Sequence, residues 1–175
     1  TGIAQTGAQG CSLHPMLPFS DRFSSYRQLA HAFFTIEGQE AAVQAVTDLF
    51  QSIGNTVCRI NSECKPSYHA AASILSNQVI AVLDTGYRLL ESCGFSREEA
   101  RNATKELVRL NIENVLQHDC GAALTGPIER GDIRTVQKHL DCIPKDDQEM
   151  YQVLGAKLVE IARRKNPGRD YTELA

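Results

Sequence analysis

Hydrophobic positions along the chain follow two different patterns, and the change between them falls in the polar stretch 61–65. Before that stretch, short apolar runs surround one helical pattern. Ala32–Ile36 and Thr56–Ile60 are runs rich in β-branched or aromatic residues, which predicts strands. Between them, Gln39–Ile53 repeats its apolar residues every three or four positions, which predicts a helix. Strand, helix and strand in this order are typical of an α/β domain.

A further, shorter strand is predicted nearer the beginning of the chain. Cys11–Leu13 predicts a brief strand that we expect to stop at His14-Pro15, because the residue before a proline is pushed out of the helical region. This position makes His14 a candidate binding residue, since ligands of open α/β sheets bind beyond the carboxyl ends of strands. A loop histidine that only bonds to the backbone is the alternative.

From Pro66 onward the pattern predicts helices only. A first helix runs unbroken over Pro66–Cys93, and proline suits its first position. A second helix opens with a capping box at Ser96–Glu99. Two further helices begin at Asp132 and at Asp146 or Asp147. The second part of the chain is therefore expected to be all-helical.

The predicted first helix carries five consecutive apolar residues at 79–83, so it should be covered on most sides. That need also predicts a homodimer, because few other elements remain to cover it. At about 100° per residue, four polar residues share one arc of the same helix, namely His69, Ser73, Ser76 and Asn77. A buried polar stripe needs partners, and either neighbouring helices or a substrate would supply them.

A polar segment punctuated by glycine and proline separates two helical patterns at 122–132. Gly126-Pro127 constrains the backbone to a tight path. Thr125 offers a hydroxyl and Arg130 a planar cation, while Asp132 is placed to cap the next helix. The combination predicts a loop that holds a ligand at the edge of a cleft. Structural roles for the individual side chains are the alternative.

Composition excludes several classes of partner. A net charge of −3, without a long basic run, gives no electrostatic footprint for nucleic acid or a membrane surface. No segment approaches the length of a membrane span, and the first residues do not resemble a signal peptide. The six cysteines and five histidines are dispersed, without C-x-x-C or H-x-x-x-H spacing. They predict free thiols in a reducing cytoplasm and no metal site.

Three motifs, in the same order along the chain, resemble a family of Rossmann-like oxidoreductases with a helical C-terminal domain of unknown function. They are 12–15 with Phe19-Ser20, 65–71 with Ser76-Asn77, and 124–132 with Val136 and His139-Leu140. The family is similar to pyrroline-5-carboxylate reductase, the β-hydroxyacid dehydrogenases and deazaflavin-dependent NADP oxidoreductases. His14–Met16 also resembles prephenate dehydrogenases, which are the nearest competing family.

The resemblance implies a mainly α fold. Residues 1–61 would be a short α/β remnant of a Rossmann domain. Residues 62–175 would form a helical domain of the 6-phosphogluconate-dehydrogenase-like type, which builds the substrate cleft and the dimer. The sequence departs from the family because it has no G-x-G-x-x-G turn: Gly2, Gly7 and Gly10 have the wrong spacing. The resemblance therefore implies that most of a nucleotide-binding domain precedes Thr1, and that this chain alone does not bind NADP tightly.

The resemblance also implies hydride transfer between NADP or NAD and a small polar substrate at an interdomain cleft. His69 is the first candidate for the proton donor or substrate orienter, and Tyr68 is the second. His14 would lie at the nicotinamide side. Five residues would contact the substrate: Ser76, Asn77, Thr125, Gly126 and Arg130.

The competing hypothesis is a non-catalytic helical dimerisation or regulatory module that keeps a degenerate oxidoreductase fold. A glycine-rich turn encoded upstream of Thr1 would favour the enzyme, and its absence would favour the module.

Overall fold

The computed structural model describes residues 5–19, 21 and 23–174. Thr1, Gly2 and Ser20, which are named above, lie outside the described residues. By its contacts the chain divides into two compact units, 1–81 and 82–175. The last strand ends before the change of pattern at residue 61, but the chain divides into the two units between residues 81 and 82. A boundary between domains at residue 61 therefore stays a prediction.

The first unit contains a three-stranded sheet in the order β1 (Cys11–Pro15), β2 (Phe33–Gly38) and β3 (Thr56–Arg59). β1 pairs with β2 in antiparallel orientation, and β3 pairs with β2 in parallel orientation. Helix α1 (Glu40–Ser52) connects β2 to β3, because parallel neighbours require a crossover rather than a tight turn. The three predicted strands and the intervening helix are thus confirmed, with small changes in their bounds.

β1 extends further than its sequence predicts. It continues through His14 and Pro15 instead of stopping there, and His14 pairs with Thr35 of β2. A residue before proline favours extended backbone, and proline is tolerated in β1 because this strand lies at an edge of the sheet. His14 therefore lies within a strand, and its expected position beyond the end of one is wrong.

The central strand β2 carries different side chains on its two faces. Phe34 and Ile36 are buried, and the ring of Phe34 contacts that of Phe50 on α1, with centroids 4.8 Å apart. Thr35 and Glu37 alternate with them and so point to the opposite face. One face of the sheet therefore carries its hydrophobic core, and the other presents polar groups.

Gly38 ends β2 at a close approach of two backbone segments. Its φ is 139°, and a Cβ atom built there would lie 2.5 Å from the carbonyl oxygen of Gly10. The same carbonyl accepts a hydrogen bond of 3.0 Å from the amide of Gln39. Only glycine avoids both the backbone strain and the clash.

The first long helix is not regular. α2 (Lys65–Ser73) passes through a π-helical segment, Ile74–Gln78, into α3 (Val79–Ser92). A π turn contains more residues than an α turn, so a rotation of 100° per residue does not hold across this segment. The prediction of one unbroken α-helix is therefore wrong. The arc predicted to contain both His69 and Asn77 assumed a regular α-helix, so that prediction is wrong as well.

The same helix is also less covered than its apolar sequence predicts. In the isolated chain the side chains of Leu75 and Ile80 are 75% and 65% exposed. The expectation that this helix is covered on most sides is therefore wrong for a single copy of the chain.

The second unit is helical, as expected. It contains α4 (Arg97–Gln117), α5 (Cys120–Ala123), α6 (Pro127–Arg130), α7 (Ile133–Cys142) and α8 (Lys145–Lys165). The predicted capping box of α4 is confirmed: the Ser96 amide donates to the Glu99 carboxylate at 2.8 Å, and the Glu99 amide donates to the Ser96 hydroxyl at 3.2 Å. A core cluster joins α6, α8 and the residues after it through Ile128, Val159, Ala162 and Tyr171.

Candidate functional site

A cleft of about 550 Å³ lies on the polar face of the sheet in the first unit. Its floor is built from two cross-strand pairs, in which Ser12 lies opposite Glu37 and His14 opposite Thr35. Directly opposite residues in an antiparallel pair point to the same face, so these four side chains are brought together. The first residues of α2 and the segment that follows β3 form the remaining walls.

Tyr68 joins α2 to β1 across this cleft. Its hydroxyl lies 2.7 Å from Nδ1 of His14, and the two rings meet edge to face with centroids 5.7 Å apart. The hydroxyl also donates to the sulfur of Met16, 2.7 Å away. The His14 ring and the tyrosine hydroxyl share one hydrogen bond, in which the donor depends on the tautomer of the imidazole. A phenol oxygen with these two partners is held in place before a substrate arrives.

Lys65 brings a positive charge into the same cleft. Its ammonium group pairs with the carboxylate of Glu37 and donates to the hydroxyl of Ser12 at 3.2 Å. An ammonium group has three donors, so a third hydrogen bond to a substrate oxygen is open to it.

The ion pair changes the acidity of Glu37. The hydrogen bond from Lys65 lowers the pKa of this carboxyl below its ordinary value, with a smaller contribution from the Ser62 hydroxyl. Burial of the carboxyl opposes the shift but does not outweigh it. Glu37 is therefore ionised at neutral pH and keeps Lys65 in place.

The structure brings three of the predicted residues together and leaves two elsewhere. His14, Tyr68 and His69 all line the cleft. Ser76 and Asn77 lie in the π-helical segment and do not line it. The Ser76 hydroxyl donates to the carbonyl of Ala72 at 2.6 Å, the local bond typical of serine within a helix. Their proposed contact with substrate stays a prediction.

The remaining predicted residues belong to the second unit. Their segment is not a simple loop, because α6 occupies Pro127–Arg130, with Gly126 at a φ of 97° before it. Thr125 lines a separate cleft within that unit, and Arg130 is exposed. The tight backbone path predicted at Gly126-Pro127 is consistent with this geometry, while the substrate contacts of Thr125, Gly126 and Arg130 stay predictions.

Asp132 caps α7, as its sequence predicts. Its carboxylate accepts hydrogen bonds from the amide and the hydroxyl of Thr135, at 3.1 and 2.7 Å. These bonds, that of the hydroxyl first, lower the pKa of Asp132. The residue therefore acts as a helix cap within this segment.

Residues after α8 hold the same segment from the other side. The hydroxyl of Tyr171 donates to the carbonyl of Glu129 at 2.6 Å, and the side-chain amide of Asn166 donates to the Glu129 carboxylate at 2.8 Å. The bond from Asn166 is the main reason that the pKa of Glu129 is lowered. These contacts fix the path of α6 and of the residues before it.

Sequence reasoning missed several residues of the first-unit cleft. Lys65 and Ser12 stood within motifs but were not assigned to the site. Thr35 was included only as part of a predicted strand, and Glu37 follows that strand. The alternation of Ser12 with His14, and of Thr35 with Glu37, was a usable signal, because residues two apart on a strand share a face. The alternation alone does not give the register between β1 and β2, which places these side chains opposite one another.

Several other features limit the chemistry of the described residues. Within 5–19, 21 and 23–174, no group of three or more His, Cys, Asp or Glu side chains is placed to hold a metal ion. In the same part of the chain, no helix combines the length and the apolar character that crossing a bilayer requires. All the cysteines are free thiols: Cys11, Cys58, Cys64, Cys93, Cys120 and Cys142.

The chain belongs to the family described as "Domain of unknown function (DUF2520)", which it matches over residues 32–158, more than half of its length. Among curated proteins, none matches the chain.

Two solved structures have a similar fold. One is protein TM1727 from Thermotoga maritima, with a TM-score of 0.77 and 24% identity over 89% of this chain. The other is described as "putative NADP oxidoreductase BF3122" from Bacteroides fragilis, with a TM-score of 0.71 and 22% identity over 87% of this chain. The matches span only 62% and 58% of those two proteins. The fold is therefore mainly helical and similar to that of an NADP oxidoreductase-like protein.

Proposed function

We propose that this chain is part of an NAD(P)-dependent oxidoreductase that reduces or oxidises a small polar substrate in the cleft of the first unit. The observation that carries the proposal is the convergence of Tyr68, His14 and Lys65 in one cleft on the polar face of the sheet. The similarity to a protein described as an NADP oxidoreductase supports the same assignment.

The residues of this chain fit only part of such a cofactor. A cleft of about 550 Å³ with hydroxyl, imidazole and ammonium groups fits the small reacting end and a substrate. The sequence contains no G-x-G-x-x-G turn, so the pyrophosphate has no site in these residues. When bound, the cofactor supplies the hydride.

Tyr68 is the proposed proton donor. Its O–H can turn to a substrate oxygen or nitrogen, and His14, in the tautomer protonated at Nδ1, would stabilise the oxygen that loses the proton. In the opposite direction of reaction the same phenolate oxygen accepts the proton. Sequence reasoning placed His69 first, but the geometry favours Tyr68, because its hydroxyl is already oriented by two partners.

His69 and Lys65 are the proposed orienting groups. Both line the cleft, on the same first turns of α2 as Tyr68. Lys65 is held by Glu37 and Ser12 and can offer its remaining donor to a carbonyl or carboxylate oxygen of the substrate. A substrate with a polar oxygen next to the reacting carbon matches this arrangement.

A homodimer and a cytoplasmic location are also proposed. Exposed apolar side chains on the helix through Leu75 and Ile80 and on α4, where Leu107 and Leu116 are 70% and 80% exposed, support association of two copies. Free thiols support a reducing compartment. Size-exclusion chromatography with light scattering is the test, and a monomer would contradict the dimer.

The proposed activity is tested on the full-length protein. NADPH and NADH are titrated by fluorescence, and a panel of small carbonyl and imine compounds is then screened for consumption of the cofactor that binds. We expect saturable binding of one cofactor and turnover that falls at least about a hundredfold in Tyr68→Phe. The matched control is Ser67→Ala, an exposed neighbour on α2 that does not line the cleft. If neither nucleotide binds, the oxidoreductase assignment fails and the non-catalytic module is favoured.

A further inference from the structure

The second unit contains a cleft of about 390 Å³ that the proposed reaction does not use. It lies among α3, α6, α7 and α8, which contribute residues to several of its sides. Its volume falls within the range of roughly 300 to 1,000 Å³ that small-molecule sites occupy. Its walls are almost entirely apolar, with Ile128 and Ile143 among them.

The polar side chains that line this cleft include Thr85 and Thr125, and two others, His139 and Tyr151, form a pair. The hydroxyl of Tyr151 is 2.7 Å from Nδ1 of His139, and the rings meet edge to face with centroids 5.9 Å apart. Burial raises the pKa of Tyr151, so the phenol stays neutral. A hydroxyl has one donor and two acceptor positions, and the bond to His139 leaves capacity for another. The pair therefore offers a ligand one well-defined hydrogen-bonding point.

The carboxylate of Asp147, which lines the cleft, is already paired with an arginine. Asp147 accepts two hydrogen bonds from the guanidinium group of Arg88, at 2.9 and 3.1 Å. A paired carboxylate attracts a cationic ligand weakly, and an anion would meet repulsion and no partner. The cleft is therefore suited to a neutral molecule.

Gly86 leaves room on the α3 side of the cleft. A Cβ atom built on this glycine would meet no other atom within 4 Å. Glycine is among the least favourable residues within a helix, so its place here is not explained by helix stability. A side chain at this position would occupy part of the space that a ligand needs.

We infer that this cleft binds a small neutral molecule with an apolar body about the size of a bicyclic aromatic ring and one hydroxyl or carbonyl group that bonds to Tyr151. The volume admits a body of this size, the apolar walls favour its apolar character, and the hydroxyl of Tyr151 is the partner for its polar group. The inference is independent of the reaction proposed for the first unit.

A second copy of the chain is a less suitable occupant. The cleft is a concavity with walls on several helices, whereas protein partners bury broad surfaces. The most exposed apolar side chains of this unit, Leu107 and Leu116, lie on α4, which does not line the cleft. Association through α4 would leave the cleft available. Association through α3 would place a second copy beside it, because Val82 of α3 is 42% exposed and lines the cleft.

The test is a titration of the full-length protein, labelled at its isoleucine methyl groups, with 2-naphthol and with naphthalene, followed by NMR. We expect saturable shifts at Ile128 and Ile143, and none at Ile36, which is buried beneath the sheet of the other unit. Tyr151→Phe should weaken 2-naphthol binding by about two- to twelvefold, the effect of one lost hydrogen bond, and leave naphthalene binding unchanged.

A second variant fills the cleft. Gly86→Leu should reduce the affinity for both probes at least tenfold, while Ala103→Leu introduces the same side chain at an exposed position of α4 and should leave both unchanged. Leucine favours a helix more than glycine does, so the variant should fold. The inference is overturned if the two methyl groups do not respond to 2-naphthol, if the responses persist in Gly86→Leu, or if their resonances change on dilution because a second copy fills the cleft.

Discussion

The hydroxyl of Tyr68 lies 2.7 Å from Nδ1 of His14, although 54 positions of sequence separate the two residues. The contact links the edge strand of the sheet to the first helix that follows the sheet. It turns a tyrosine and a histidine, each common in structural roles, into a pair that can hold and move one proton. The pair also distinguishes Tyr68 from its neighbour His69, which lines the same cleft.

Coupling between these two residues is the first prediction. In the full-length protein, His14→Ala should lower turnover by less than Tyr68→Phe, since His14 only positions and stabilises the tyrosine oxygen. The double variant should be no slower than Tyr68→Phe, because the histidine has no role once the hydroxyl is absent. Steady-state kinetics of the four proteins gives the interaction energy. Additive losses would show that the two residues act separately.

Acid stability should depend on Glu37. Its pKa is lowered in the folded chain, first by the hydrogen bond from Lys65, so the unfolded state binds a proton more readily. The stabilisation is therefore fully present above the ordinary pKa of a glutamate and is lost as the pH falls through the lower, folded value. Urea unfolding at a series of pH values should show a smaller loss on acidification in Glu37→Gln. An unchanged slope in that variant would contradict the assignment.

Two glycines should respond in opposite ways to the same substitution. Gly38→Ala should destabilise the fold by at least about 2 kcal/mol, because its φ is positive and a Cβ would clash with the backbone of Gly10. Gly86→Ala should instead stabilise it by up to about 1 kcal/mol, since this glycine is helical and has open space around it. Denaturant unfolding measures both. Similar effects at the two sites would show that the backbone geometry is not the cause.

The bond from Tyr171 to Glu129 should contribute to stability. Tyr171 is only 3% exposed, and its hydroxyl both donates to the Glu129 carbonyl and accepts from Asn166. Tyr171→Phe removes the hydroxyl and leaves buried polar groups without it, which should cost about 1–3 kcal/mol. The control is Tyr26→Phe on an exposed tyrosine, expected to remain within about 0.5 kcal/mol of the parent. Equal effects in the two variants would contradict the role of the buried hydrogen bonds.

Local patterns in the sequence were sufficient for most of the secondary structure. The alternation and composition of Ala32–Ile36 and Thr56–Ile60 predicted β2 and β3, and the capping box at Ser96–Glu99 predicted the start of α4. Asp132 was likewise recognised as a helix cap. These features depend on residues close together in the chain, and such interactions can be deduced from spacing alone.

Other features depended on interactions that spacing does not specify. The continuation of β1 through Pro15 depends on its place at a sheet edge, and the π-helical segment at Ile74–Gln78 interrupts a pattern that suits a regular helix. The hydrophobic pattern indicated which faces avoid water. It did not indicate whether another part of the chain covers them, as exposed Leu75 and Ile80 demonstrate.

The sequence alone therefore determined the mainly helical class, the order of the strands and longer helices, and His14, Tyr68 and His69 as candidates. Only the tertiary structure decided that His14 bonds to Tyr68, that Lys65 and Glu37 join them, and that Thr125 lines a cleft in the other unit. Periodicity reports how residues lie around one helix or strand. The register between β1 and β2, and the packing of α2 over the sheet, are set by contacts between residues far apart in the chain.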